Sequence, residues 1–225
     1  MKNCRLTVFL LGALIVLNAC ASGPQQPKTA ALVDAARIAI ASLKVNDSMP
    51  EFRKMLKSAH GIMIFPALYK AGFIVGAEGG NGVMLARDKS GNWGYPAFYT
   101  LAAGSFGFQA GGQRARAAFV IRSPGAVKAI IDHQGKFGAD AGITVGRYGG
   151  GVEGSITTNL ALDVVAFSDV LGLFGGASLE GAAMIRRNDY NTQYYGRGAT
   201  PQSILIDHAH RNPGADALRN ALLVR

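Results

Sequence analysis

Residues 61–85 read Gly61-Ile-Met-Ile-Phe65-Pro-Ala-Leu-Tyr-Lys70-Ala-Gly-Phe-Ile-Val75-Gly-Ala-Glu-Gly-Gly80-Asn-Gly-Val-Met-Leu85, and here the texture of the chain changes. Upstream, apolar residues recur at helical spacing; from Gly61 on they come in short β-type runs broken by glycine. Ile62–Phe65, Phe73–Val75 and Val83–Leu85 are the first such runs, and Tyr95–Tyr99, Phe106–Gln109, Ala117–Ile121 and Ile143–Val145 continue the series. Each lasts only a few residues between turn signals, which predicts a meandering antiparallel sheet. Asp88-Lys-Ser-Gly91-Asn has the composition of a hairpin loop, and glycines at 72, 76, 104, 107, 111 and 112 mark bulges or close backbone approaches in curved strands.

Working outward from this stretch, both flanks are helical. Thr29–Val45 places Leu32, Ala36, Ile40 and Leu43 on one stripe, with Arg37 and Lys44 away from it. A second helix begins at Ser48, with Glu51 three residues on as its capping-box partner and Pro50 in the tolerant first turn. Phe52, Met55, Leu56 and Ala59 are its apolar residues, while Arg53, Lys54 and Lys57 fall on or beside the opposite face. One helix interrupts the strands, with Ser123 as cap, Pro124 first, Val127, Ile130 and Ile131 on one face and Gly135 as stop. Apolar segments at 161–167 and 182–185 flank the glycine-rich 172–178. Thr200-Pro201 opens a helix through His210, Asn212-Pro213-Gly214 turns the chain, and Ala217, Leu218, Ala221 and Leu222 mark a last short helix. The expected class is α+β: a curved, mainly antiparallel sheet or barrel-like core, amphipathic helices at both ends and one inserted helix.

The 225 residues suffice for one substantial core, and 49% hydrophobic with 16% charged residues excludes a disordered chain. Thirty glycines against eight prolines point to tight turns and bulges rather than to collagen or a linker.

The first residues stand apart. Lys2 and Arg5 precede the apolar run Leu6–Leu17, too short for a permanent membrane span and of secretory-signal form. Leu17-Asn18-Ala19-Cys20 resembles the bacterial lipobox, whose cysteine is diacylated on sulfur and becomes the first mature residue. Cys4 leaves with the signal, so the mature chain has one thiol and no disulfide. The expected organisation is a signal at 1–19, a lipidated Cys20 with a tether over 20–28, and one domain at 29–225. Acyl chains on Cys20 give stable anchoring, and Ala21-Ser22 lacks the aspartate that resembles an inner-membrane retention signal. The periplasmic face of the outer membrane is the expected location. Removing 1–19 takes two bases and no acid from a chain of formal charge +9. The mature protein is therefore basic and suited to anionic head groups; an exported chain would rarely meet nucleic acid.

Enzymatic signals fail on context. Ala103-Gly-Ser105-Phe-Gly107 has the letters of a hydrolase nucleophile elbow, but the glycines after Ser105 oppose the helix that this motif requires. Gly149-Gly-Gly-Val-Glu-Gly154 has those of a dinucleotide loop without a strand–helix unit around it. His60, His133, His208 and His210 lack zinc spacing, and Glu78, Glu153, Asp163 and Glu180 are scattered. Glu180, between two apolar glycine-rich runs, is either a buried anchor or a functional acid of raised pKa. Trp93, Tyr95, Phe98, Tyr99, Tyr190, Tyr194 and Tyr195 suit core packing or a membrane interface. No catalytic residue, metal or cofactor is assigned.

The order of motifs resembles the SYLF-domain family. Gly61-Ile-Met-Ile-Phe-Pro66, Lys70-Ala-Gly-Phe-Ile-Val-Gly76, Gly82-Val83, Trp93-Gly-Tyr-Pro96 and Gly104-Ser-Phe-Gly-Phe-Gln-Ala-Gly111 carry the resemblance. Lys136–Asp140, Val145-Gly146, Gly172–Gly181 and Asn191–Gly196 extend it, so that it covers roughly residues 32–210. Arg147-Tyr148 stands where members usually carry Gly-Pro. The resemblance implies a lipid-binding domain rather than an enzyme. Eukaryotic members bind phosphoinositides and other anionic phospholipids, in part through an amphipathic segment at the domain's N-terminus, and some fungal members bind actin. The lipobox is a trait of bacterial members, so actin binding is not expected. The Phe65-Pro66 and Lys70 pattern adds Lys70 to Arg53, Lys54 and Lys57 as candidate head-group contacts. The resulting expectation is an envelope lipoprotein whose domain binds anionic phospholipid; the alternative is a structural lipoprotein that binds another envelope component.

Overall fold

The computed structural model describes residues 27–132, 144–147, 163–170 and 182–224, and of 71–76, 105–112 and 145–147 the backbone alone. The signal, Cys20, the tether as far as residue 26, His133, Gly135, the loop 149–154, Glu153 and the stretch 172–181 with Glu180 lie outside the described residues, and Lys28, expected in the tether, already belongs to the first helix.

The elements run α1 (Lys28–Lys44), α2 (Pro50–Ser58), β1 (Gly61–Ala86), β2 (Ala97–Ile121), α3 (Pro124–Asp132), β3 (Val145–Arg147), β4 (Val164–Ser168), β5 (Ala183–Arg186), α4 (Asn188–Tyr195), α5 (Pro201–Leu205), a 3-10 turn (Pro213–Ala215) and α6 (Asp216–Ala221). The class is α+β, as the pattern predicts. The strands differ from the expected meander. The first six runs that read as separate strands are segments of two, and β1 pairs antiparallel with β2 from Gly61↔Ile121 to Met84↔Ala97. The Asp88–Asn92 loop joins them, with Asp88 accepting from Ser90 N and Asn92 N at 2.9 Å each and Gly91 at φ 82°. β4 pairs antiparallel with Ala117–Ile121, β5 antiparallel with Tyr99–Ala102, and β3 parallel with β4.

The long ribbon is bent double. Arg87 N donates to His60 O at 2.9 Å, so the two ends of β1 meet. A Cβ on Gly82 would lie 2.5 Å from Ile64 O, and one on Gly80 only 2.2 Å from Ala67 O. These contacts step in opposite directions along the chain, which means that 60–67 runs antiparallel beside 80–87. Glycine at 80 and 82 permits this approach, and the register shifts at Phe65/Leu68 and Gly72/Ile74 accommodate the bend. The halves of β2 flank those of β1, with β5 beyond one and β4 then β3 beyond the other.

Helices cover both faces. One face carries Met63, Phe65, Leu68, Met84, Tyr99 and Phe119 against α3 and α5; the other carries Ile62, Ile64, Val83, Leu85, Phe98 and Phe167 against α1, α2 and α6. α3 matches its expectation, with Ala126 N donating to Ser123 Oγ at 3.1 Å and Val127, Ile130 and Ile131 buried. In α1 the buried stripe is Thr29, Val33, Ala36, Ala39, Ile40 and Leu43; Ala36, Ile40 and Leu43 are buried as expected, while Leu32 lies half-buried at its margin. Ser48 does not cap α2: the helix starts at Pro50 after Met49, while Ser48 N donates to Asn46 Oδ1 in the preceding turn. The helix at 200–210 stops at Leu205, and His208 takes φ 50°. α4 has no counterpart in the sequence reading. Trp93, Phe98 and Tyr99 are buried, and Tyr95, Tyr190, Tyr194 and Tyr195 pack against the core, so these rings serve packing.

Candidate functional site

α2 is a short helix with two chemically opposed faces. Phe52 and Leu56 are fully buried, with the Phe52 ring edge-on to Phe167 at 5.0 Å. Truncating such an aromatic costs about 3 kcal/mol or more, so the orientation of α2 is firmly set. Arg53, Lys54 and Lys57 thereby point into solvent. The acid on this helix is Glu51, which lies 3.6 Å from an 81%-exposed Lys54, an ion pair of little strength. Below the helix, Arg87 donates to Ala59 O at 2.9 Å and Leu56 O at 3.4 Å, satisfying its last carbonyls.

Lys44, at the end of α1, joins this corner. Its ammonium donates to Ala221 O at 2.9 Å and Leu223 O at 2.6 Å, fastening the C-terminal segment to α1. Burial, and secondarily the positive charge of Arg53, lower its pKa. Next to it Val45 is 76% exposed, and Leu223 is 54% exposed.

Lys70 lies elsewhere. On the opposite face of the sheet, the Phe65 ring overlies Gly82 and the Leu68 side chain overlies Gly80. Lys70 and Glu78 are the next pair along this row, and the Lys70 charge acts on the Glu78 carboxyl. Glu78 is 4% exposed, and its Oε1 is buried without a hydrogen-bond partner among the described residues. Burial raises its pKa to about 7 despite the opposing pull of Lys70. The four candidate cations therefore form two sites: Arg53, Lys54 and Lys57 together on α2, and Lys70 with Glu78 on the other side of the sheet. Sequence reasoning left Glu78 among scattered acids. The available signal was that Lys70 and Glu78 are the two charged residues of β1.

The remaining polar clusters are structural. The backbone at Ser105 continues as strand, paired with Gly76, so no nucleophile elbow forms there. Ser203 Oγ accepts from Thr200 N at 3.0 Å, donates to Thr200 O at 3.0 Å and lies 3.0 Å from His210 Nε2; the hydroxyl serves the capping box of α5. Arg187 bonds Asn81 and Asp189 and stacks 3.7 Å over Tyr190, tying α4 to the sheet. Among the described residues no group of His, Cys, Asp or Glu could hold a metal ion, and no helix is long and apolar enough to cross a membrane.

Fold and surface describe an α+β domain with an exposed cationic face on α2. The Ysc84 family model, described as Las17-binding protein actin regulator, matches residues 102–224. The chain belongs to this family, whose domain is the SYLF domain that its motifs resemble. Among similar proteins, Protein YSC84 of Saccharomyces cerevisiae is 32% identical over 171 residues, 75% of this chain and 36% of that protein. LAS seventeen-binding protein 3 of the same yeast is 31% identical over 171 residues, 75% and 37% of the two chains. SH3 domain-containing YSC84-like protein 1 of Homo sapiens is 29% identical over 169 residues, 75% and 49%. The aligned region thus spans between about a third and a half of these relatives' length. No solved structure matches the chain.

Proposed function

We propose that this protein is a lipoprotein of the bacterial envelope, acylated at Cys20 and held at the periplasmic face of the outer membrane, whose domain binds anionic phospholipid without catalysing a reaction. The observation that carries the reading is the face of α2, where Arg53, Lys54 and Lys57 are exposed while Phe52 and Leu56 fix the helix from beneath. Each well-placed cation contributes about 1 kcal/mol at an anionic surface. Lys70 does not belong to this contact. The family-type use of the N-terminal amphipathic segment is also unavailable to the folded domain, because the apolar face of α1 is spent on the sheet.

Sedimentation of residues 27–225 with zwitterionic and with anionic vesicles, at low and at physiological salt, tests the reading. It predicts pelleting with anionic vesicles that weakens as salt rises. Absence of pelleting with either lipid would leave the protein-partner alternative, a structural lipoprotein, in its place. Acylation is tested separately: radiolabelled palmitate enters the wild-type chain in a bacterial host and does not enter C20S.

A further inference from the structure

We infer that the bilayer contact is an insertion as well as a charge contact: Val45 and Leu223, two apolar side chains at the corner where α1, α2 and the C-terminal segment meet, enter the acyl region while α1 stays docked on the sheet. This rests on the anionic-surface reading above and specifies how that surface is held.

Val45 is 76% exposed and Leu223 54% exposed. Both lie at the corner that the Lys44 ammonium closes: Val45 directly follows Lys44, and Leu223 offers the carbonyl that this ammonium holds at 2.6 Å. The turn after Val45 leads straight into α2, with Met49 N donating to Asn46 O at 3.0 Å and Phe52 N to Met49 O at 3.1 Å, so Val45 sits at the end of α2 that carries Arg53 and Lys54. Apolar residues bordered by cations suit the boundary between acyl chains and anionic head groups, and a wholly polar partner would leave them unused. Inward of the corner, Val33, Ala36, Ala39, Ile40 and Leu43 hold α1 to the core, so insertion needs no unfolding.

Chain length permits the pose. Seven residues lie between Cys20 and Lys28, eight steps along the chain and a reach of about 28 Å if fully extended. α1 is about 26 Å long. The acylated Cys20 and the Val45 end of α1 therefore reach one bilayer at the same time.

The mature chain carrying C20S has no cysteine, so single sites accept an environment-sensitive fluorophore without further substitution. V45C, L223C and I38C are each labelled and mixed with vesicles of phosphatidylglycerol and phosphatidylcholine, and pelleting of the unlabelled protein is measured in parallel. Ile38 is also half-exposed on α1 but lies seven residues from the corner, about 10 Å along the helix. The inference expects a blue shift and brightening at positions 45 and 223, quenching there by brominated acyl chains, and little change at 38. It also expects V45D and L223D each to weaken vesicle affinity about tenfold, the loss that follows from exposing one such side chain. Pelleting with water-like spectra at 45 and 223 overturns the inference and leaves the charge contact standing. A response at 38 without one at 45 overturns it in favour of a helix lying flat. Failure of the unlabelled protein to pellet overturns the anionic-surface reading itself, and this inference with it.

Discussion

The ammonium of Lys44 holds the carbonyl oxygen of Leu223 at 2.6 Å, closing the last turn of the chain onto the first helix. With the second bond to Ala221 O, this one side chain satisfies two carbonyls at and just after the end of α6 that have no helical partner among the described residues.

Replacing it should loosen the C-terminus specifically. K44M is expected to cost about 1–3 kcal/mol, the usual worth of bonds from a charged donor. Hydrogen exchange at Leu222 and Leu223 should accelerate while the amides of β1 and β2 remain protected. Uniform acceleration throughout the domain would show that Lys44 supports more than this segment.

Glu78 predicts a pH dependence. Its folded pKa is raised to about 7 from 4.5, so the folded state holds the proton more tightly than the unfolded chain does. The associated stability is complete below pH 4.5 and is lost as pH rises to about 7. The loss is on the order of 3 kcal/mol. E78Q should therefore melt higher than wild type at pH 8 and with a flatter profile between pH 5 and 8. Because Lys70 opposes the shift, K70Q should steepen the wild-type slope. Parallel melting profiles for wild type and E78Q would refute the assignment.

The folded ribbon predicts a contrast between glycines. A Cβ at Gly80 would meet the Ala67 carbonyl at 2.2 Å, a backbone atom that cannot swing aside, whereas none of the described atoms lies within 4 Å of one at Gly104. G80A should cost about 1–3 kcal/mol and lower the melting temperature by several degrees. G104A should be tolerated. Equal melting temperatures for the two variants would mean that the halves of β1 are not in contact.

These residues also show what was legible in the sequence. α3 was readable because Ser123, Pro124 and a 3.6-residue apolar period all act within one segment. The strand composition of 61–121 was readable too, but not its continuity, since glycine at a bend and glycine at a turn have the same local chemistry. Only the close approach of Gly80 to Ala67 distinguishes them. Ser48 looked like a cap because the motif letters fit, yet Asn46 takes its N–H in a tighter turn. α4 escaped notice because Tyr190 and Tyr194 provide its packing without an aliphatic stripe. The basic face of α2 was legible, since 3.6-residue spacing separates Arg53, Lys54 and Lys57 from Phe52 and Leu56. Lys70 was grouped with them on the family-like Phe65-Pro66 and Lys70 pattern, and the face of a bent strand on which a residue falls depends on register shifts that a motif does not reveal.

The most direct test of the account compares R53E/K54E/K57E with K70E on anionic vesicles, across a salt series. The triple variant should lose about a hundredfold in affinity and most of its salt dependence, in line with about 1 kcal/mol per cation, while K70E binds like wild type. A triple variant that binds anionic vesicles as wild type does would contradict the central claim that the exposed face of α2 meets the membrane.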